Sequence, residues 1–203
     1  MFARLYPRIS RDAERGGGAE HRRTLLAGLE GRVIEIGAGH GLNFAHYPGT
    51  VSQVVAVEPS PHLRGLAVQA ASGAPVPVEV RDGTAEALPA QDGEFDAAVV
   101  SLVLCSVSDQ QAALREIARV LRPGGELRFY EHVVSRRPST ARMQRALDAT
   151  VYPFLAGGCH CARDTGAAIR AAGFQVQREE RFGFKGTRIS PAVAHILGAA
   201  RRP

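Results

Sequence analysis

Three groups of residues in this sequence have types and spacing that could do chemistry. The first is Glu35-Ile36-Gly37-Ala38-Gly39-His40-Gly41, which follows an apolar run directly. Glycines there allow a tight turn, and a backbone without Cβ atoms lets a nucleotide approach closely. Glu58 ends the next apolar run, and a carboxylate at that strand end can accept hydrogen bonds from both ribose hydroxyls. A dinucleotide site would want glycine at position 42 as well; that position is Leu42. The shorter G-x-G-x-G turn suits a nucleoside that carries no pyrophosphate. The second group is His132, a candidate general base because it closes an apolar run and histidine is the commonest base. Its alternative is a structural role, paired with a backbone group or with Glu131. The third is Cys159-His160-Cys161. Adjacent residues cannot easily wrap one tetrahedral ion, and no second C-x-x-C or H-x-x-x-H pair exists, so no metal is expected. This segment should instead shape a substrate pocket or cap the following helix, and Cys105, inside an apolar run, should be buried and inert.

These residues need a scaffold, and the hydrophobic pattern supplies one. Strand-like runs alternate with helix-like runs along most of the chain, which implies βαβ units and a largely parallel sheet. Residues 1–18 end in the flexible Arg15-Gly16-Gly17-Gly18, and a short helix follows over 19–29. Strands are expected at 32–36, 54–58, 76–80 and 95–100, the last nearly all apolar, as a central parallel strand should be. A helix over 60–71 starts with Ser60 as cap and Pro61 at its first position. Another spans 109–121, with Asp109 at the end that favours negative charge. Pro123-Gly124-Gly125 stops it, and a fifth strand runs from Leu127 to Tyr130 and on to Glu131-His132. Helices over 138–155 and 163–172 follow, the first lying over the ligand edge of the sheet. Two closing strands occupy 174–182 and 191–199, with a loop around Gly183-Phe184-Lys185-Gly186 between them.

The 203 residues suit one domain with a single core. A hydrophobic fraction of 45% with 22% charged residues excludes global disorder. The formal charge is +5, but it rests on scattered arginines, including Arg22-Arg23, and forms no basic arm for nucleic acid. Aromatic residues make up only 6%, too few for a base-stacking platform. Three cysteines form no disulfide framework, so a reducing cytoplasm is the expected compartment. No apolar run is long enough for a signal peptide or a membrane span.

At this point a family resemblance is plain. Residues 35–41 resemble the first motif of class I methyltransferases. Gly83-Thr84-Ala85-Glu86-Ala87-Leu88-Pro89 with Asp92-Gly93-Glu94-Phe95-Asp96 resembles the second conserved region of the ubiquinone and menaquinone biosynthesis type. Leu121-Arg122-Pro123-Gly124-Gly125 matches the turn before that family's fifth strand. A closer resemblance is to the thiol methyltransferase group of the methyltransferase-like family. It is carried by Asn43-Phe44, Tyr47-Pro48, Leu102-Val103-Leu104-Cys105-Ser106-Val107, Glu131-His132-Val133, and Gly158-Cys159 followed by Arg163. The animal members of that group carry an N-terminal membrane-inserted helix, which has no counterpart here, so lipid association is not carried over.

The resemblance implies a Rossmann-like α/β fold: a seven-stranded, mostly parallel sheet, its last strand antiparallel, with helices on both faces. One domain would divide into an N-terminal helical cap (1–30), a cofactor-binding half (31–131) and a substrate-side region (132–203). The implied cofactor is S-adenosylmethionine. Gly37, Ala38 and Gly39 would meet its amino-acid portion, with Glu35 near the ammonium, often through water. Glu58 would hold the ribose and Pro59 would lie beside the adenine. Thr84 departs from the family, where an aspartate usually contacts the adenine amino group; Thr84 or Glu86 would have to substitute, while the backbone N–H of Ala85 still serves. Ser101 and Leu102 would line the methionine end, and Tyr6 would close over the cofactor. The acceptor pocket would come from residues 1–15, 132–162 and the loop near 184–188. The implied activity is methyl transfer to a small-molecule thiol, hydroxyl or carbon, with His132 as base if the nucleophile arrives protonated. The rivals are methylation of nucleic acid or protein, a nicotinamide-dependent oxidoreductase, and a non-catalytic cofactor-binding module. The first lacks an Asn-Pro-Pro-Tyr-like element after the fourth strand. The oligomeric state and the acceptor's identity stay open.

Overall fold

A computed structural model of the chain describes residues 2–186 and 192–203. Its centre is one seven-stranded sheet with the order β3-β2-β1-β4-β5-β7-β6. The strands are β1 (Gly31–Ile36), β2 (Val51–Val57), β3 (Val78–Arg81), β4 (Phe95–Ser101), β5 (Leu121–His132), β6 (Gln175–Phe184) and β7 (Val193–Arg201). The first five pair in parallel, and β7 runs antiparallel to both β5 and β6. The helices are α1 (Phe2–Ala13), α2 (Ala19–Leu26), α3 (Pro61–Ala71), α4 (Gln110–Val120), α5 (Pro138–Asp148), α6 (Tyr152–Leu155) and α7 (Thr165–Ala171).

Side-chain alternation in the strands explains the two-sided packing. Ile34, Ile36, Val55, Val57, Val100 and Phe129 face one core, which α4 and α7 cover through Leu114, Ile117 and Ile169. Val33, Val54, Ala56, Val99 and Leu197 face the other, covered by Leu25 and Leu26 of α2 and by Phe44. A strand buried on both faces must be apolar throughout, which is why β2 and β4 read as continuous hydrophobic runs. The chain order reverses between β1 and β4. Connections leave the sheet in opposite directions there, opening a crevice at the carboxyl ends of the strands, where doubly wound sheets bind ligands.

Several boundaries differ from the pattern-based expectation, each for a local reason. Arg15 to Gly18 belong to a π-helical turn that joins α1 to α2. The helix expected over 19–29 ends at Leu26, before Gly28 with φ +73°. The expected helix 138–155 breaks into α5 and α6. The side chain of Asp148, the last residue of α5, accepts the N–H groups of Cys161 and Ala162, each at 2.9 Å, and Pro153 has no N–H to continue a helix through this point. β3 starts at Val78, after Pro77, whose carbonyl still accepts the N–H of Val54. β5 begins at Leu121 and carries Pro123-Gly124-Gly125 as an irregularity, where the register slips from Phe95↔Leu121 to Ala97↔Glu126. Gly183 and Phe184 pair with Ala194 and Val193, so they extend β6 rather than form a loop.

Candidate active site

The carboxyl ends of β1, β2, β4 and β5 border a cavity of about 420 Å³, within the size range of small-ligand sites. Its wall carries Tyr6, Gly37, Gly39, Glu58, Pro59, Thr84, Ala85, Glu86, Ser101, Leu102 and His132. These residues lie up to 126 positions apart in the chain, and the sheet order brings them together. Of the residues singled out in the sequence, Glu35 and Ala38 lie behind this wall. They border a crevice of about 10 Å³ shared with Tyr6, Arg22, Gly37 and Ser101, room for about one water.

The glycine turn is wired to β2 rather than left open as an anion cradle. The N–H groups of Gly37 and Ala38 both donate to the Val57 carbonyl, at 2.8 and 3.1 Å. The N–H of Gly39 donates to the Glu58 carboxylate at 2.9 Å. Three successive amides are thus engaged, leaving no nest for a pyrophosphate. The geometry of the turn agrees with the reading drawn from Leu42. Gly37 has φ +66°, and a Cβ there would lie 2.6 Å from a Val103 methyl. A Cβ on Gly39 would meet the Tyr6 ring at 3.4 Å. Gly41 serves packing instead: its Cβ would strike the Phe44 ring at 2.7 Å and Ala70 at 2.8 Å.

Glu58 links the two strand ends. One carboxylate oxygen accepts the Gly39 N–H and the other accepts the Ser60 N–H at 2.8 Å. Each oxygen keeps further acceptor capacity. Burial raises the Glu58 pKa, and the two backbone donors oppose that rise. Beyond β3, Thr84 and Ala85 line the wall. Glu86 is engaged in holding the next loop, accepting the N–H groups of Ser108 and Asp109 at 3.0 and 3.3 Å.

After β4 the chain makes a tight turn. Leu102 has φ +61°, the only described residue other than glycine in the left-handed region, and its N–H donates to the Tyr130 carbonyl at 2.7 Å. Backbone strain of this kind concentrates at functional sites. Glu131 is fully buried and accepts the N–H groups of Val103, Leu104 and Cys105, at 2.9, 3.0 and 3.0 Å. It therefore points at this turn and does not pair with His132. Burial raises its pKa, against the pull of those three donors.

His132 closes β5 and faces the cavity. Its Nδ1 lies 3.3 Å from the Cys159 sulfur and 3.8 Å from the Cys105 sulfur, and the two sulfurs are 3.8 Å apart. Cys159 is on the cavity wall beside Ala156 and Gly157. Sharing a hydrogen bond with Cys105, and facing His132, lowers the Cys159 pKa, while the same shared bond and burial raise that of Cys105. Cys105 is buried, as its apolar surroundings implied, but it is a member of this cluster. Cys161 turns away, its sulfur 3.3 Å from Asp148, so the Cys159-His160-Cys161 run does not act as one unit.

Sequence reasoning missed Arg22, read there as part of a scattered surface pair. It is 6% exposed and donates to Glu14 at 2.8 Å, Asn43 at 2.8 Å and Ser101 at 3.2 Å. Its spacing from the buried Leu25 and Leu26 puts all three on one helical face. Asn43 and Tyr47 in turn donate to Glu35 at 2.9 and 2.7 Å. Burial pushes Glu35 up to about 7. The Cys105–Cys159 approach spans 54 positions and leaves no local signal. Of the loop near 184–188, residues 187 and 188 lie outside the described residues. Phe184 packs on the rings of His21 and His195, at 4.8 and 5.7 Å, rather than on the cavity wall.

Fold and site together define a doubly wound α/β protein with a nucleoside-sized cavity at its topological switch. The methyltransferase domain family matches residues 34–129. The chain is 34% identical to the human thiol S-methyltransferase TMT1B over 181 residues, covering 86% of this chain and 73% of that one. It is 32% identical to the ubiquinone/menaquinone biosynthesis C-methyltransferase UbiE of Pseudomonas fluorescens, over 61% of this chain and 49% of that one. Among solved structures, an S-adenosylmethionine-dependent methyltransferase from Mesorhizobium loti superposes with a TM-score of 0.69 at 20% identity. That superposition covers 94% of this chain and all of the other. The chain belongs to the class I S-adenosylmethionine-dependent methyltransferases. Among the described residues, no helix is long and apolar enough to cross a membrane.

Proposed function

We propose that this enzyme methylates the sulfur of a small thiol. The observation that carries the reading is the composition of the cavity wall. Besides Glu58, it offers His132 and Cys159, with the buried Cys105 3.8 Å from each. The relatives named as thiol S-methyltransferases support it.

S-adenosylmethionine, when bound, supplies a methyl group already activated on a positively charged sulfur. The chain then has to bind, align and exclude water. Glu58 holds the ribose hydroxyls with its remaining acceptor capacity, and Pro59 flanks the adenine. Thr84 and the backbone of Ala85 serve the adenine edge, while Glu86 fixes the loop that closes it. Gly37, Ala38 and Gly39 border the amino-acid portion under Tyr6. Glu35 would meet the ammonium through a water in the crevice it borders, and Arg22, on that same crevice, would supply positive charge for the carboxylate. Ser101 and Leu102 set the position of the methyl end. His132, on the cavity wall, would in the absence of a metal be the catalytic residue, taking the proton a thiol must lose. The whole chain works as one unit, with residues 1–30 as cap, 31–131 as cofactor half and 132–203 as acceptor side. The acceptor is a small molecule, not nucleic acid.

The test is release of S-adenosylhomocysteine from the purified protein with alkyl thiols, phenols and quinols side by side. Thiols should turn over at least tenfold faster than the oxygen and carbon acceptors. Preferential turnover of a quinol would replace thiol methylation with carbon methylation.

A further inference from the structure

We propose that Cys105, His132 and Cys159 form a three-ligand zinc site whose fourth position opens on the methyl-transfer cavity and takes the acceptor's sulfur as a thiolate. The inference rests on the thiol reading above and adds a metal to it.

The spacing of the three donor atoms fits an ion. Zinc binds thiolate sulfur at about 2.3 Å and imidazole nitrogen at about 2.0–2.1 Å in a tetrahedron. Those bond lengths fix the edges of the tetrahedron at about 3.8 Å between sulfurs and about 3.6 Å from sulfur to nitrogen. The observed edges are 3.8 Å for sulfur to sulfur and 3.3 and 3.8 Å for sulfur to nitrogen. All three donors lie within 4.8 Å of one another.

The loops that carry the two cysteines are also held from behind, as metal ligands require. Glu131 fixes the turn that carries Cys105 through three backbone N–H groups. The loop bearing Cys159 is tied to that same turn, where the His160 N–H donates to the Cys105 carbonyl at 2.8 Å. Gly158 permits the approach: its Cβ would lie 2.6 Å from the Ser106 carbonyl oxygen. Arg163 closes the frame, donating to the carbonyls of Leu104 and Val107 at 2.9 and 2.8 Å. His132 and Cys159 face the cavity and Cys105 lies behind them. Three protein ligands with one open corner is the pattern of a catalytic rather than a structural zinc.

The chemistry balances without any redox partner. Two cysteine thiolates neutralise Zn²⁺. An incoming thiol loses its proton to solvent as its sulfur occupies the open corner, because the metal lowers the thiol's pKa. The bound sulfur's lone pair attacks the methyl carbon, forming the new S–C bond as the sulfonium S–C bond breaks. That bond's electrons stay on the departing sulfur as a neutral thioether. The methylated product is also a neutral thioether, a weaker ligand than a thiolate, and leaves with the zinc unchanged. In this arrangement His132 is a ligand, so it does not act as the base; the two assignments exclude each other.

The experiment starts from reduced, chelator-treated full-length protein, titrated with zinc against a chromophoric chelator. S-adenosylhomocysteine binding is measured on the same sample by calorimetry. One zinc per chain is expected. Affinity should fall by roughly a hundredfold or more in C105S, H132A and C159S, at least the loss seen when a supporting group is removed. It should persist in C161S. Cobalt in place of zinc should give the intense visible bands of a tetrahedral thiolate site, and benzyl mercaptan should shift them. The site is overturned if the reduced protein binds S-adenosylhomocysteine but takes up no zinc. It is equally overturned if the three variants keep wild-type zinc affinity, or if the cobalt spectrum ignores the thiol. Zinc uptake with a thiol-responsive cobalt spectrum but no methylation of any thiol would support the site and instead overturn the thiol-methylation reading.

Discussion

Two residues show how burial and backbone geometry shape this cavity. Gly37 needs a left-handed backbone and has no room for a Cβ beside Val103. Gly37→Ala should therefore destabilise the fold by about 2–3 kcal/mol, from backbone strain plus overpacking. Gly37→Ala with Val103→Ala should recover part of that in urea unfolding, and full loss in the double variant would show that backbone strain alone decides it. Glu35 makes a different kind of contribution. Burial raises its folded-state pKa from 4.5 to about 7, so between those values the folded chain holds a proton that the unfolded chain has released. Stability from this group is therefore present at low pH and falls as pH rises through that window. The difference between wild type and Glu35→Gln should change by on the order of 2–3 kcal/mol between pH 4.5 and 7.5. A pH-independent difference would mean that Glu35 is already ionised. The same carboxylate should ionise more readily when a cationic ammonium lies across the crevice, so saturating S-adenosylhomocysteine should shrink the slope.

Elements matter here chiefly through their ends. The turn after β4 takes its shape from a residue on β5, since Glu131 collects three consecutive N–H groups that have no other partner in the turn. Glu131→Gln places an amide NH₂ against at least one of those donors. It should cost about 2–4 kcal/mol, the range for disrupting a buried, charge-assisted network. Unfolding midpoints in urea would measure it; a loss below about 0.5 kcal/mol would mean the turn is held by Leu102 and Tyr130 instead. Much at this scale was legible in the sequence. The apolar runs of β1, β2 and β4, the Ser60-Pro61 start of α3 and the Asp109 cap of α4 each carry a local physical signal. The structure places all of them within one to three residues of the expectation. The glycine turn and Glu58 were legible for the same reason, since each sits at the end of an apolar run. What escaped is non-local. The break at Asp148 depends on amides 13 and 14 positions onward. The burial of Arg22 depends on Glu14, Asn43 and Ser101, and the Cys105–His132–Cys159 cluster depends on two separate loops meeting the end of β5.

Across the whole molecule, the cavity is where the two halves of the sheet part. The carboxyl ends of β1, β2, β4 and β5 all border it, and α1 adds Tyr6. A ligand that binds the folded cavity and not the unfolded chain adds its binding free energy to global stability. At a hundredfold excess over its dissociation constant, S-adenosylhomocysteine should stabilise the chain by about 2.7 kcal/mol. For a chain of 203 residues that corresponds to a rise in Tm of roughly 5–10 °C. Glu58→Ala should unfold at a lower temperature by itself, because the N–H groups of Gly39 and Ser60 lose their shared acceptor. The informative quantity is therefore the ligand-induced rise rather than the Tm. That rise should fall by half or more in Glu58→Ala at the same ligand concentration. A full rise in the variant would show that Glu58 does not hold the nucleoside. The three engaged amides of that turn make such an outcome hard to reconcile with this geometry.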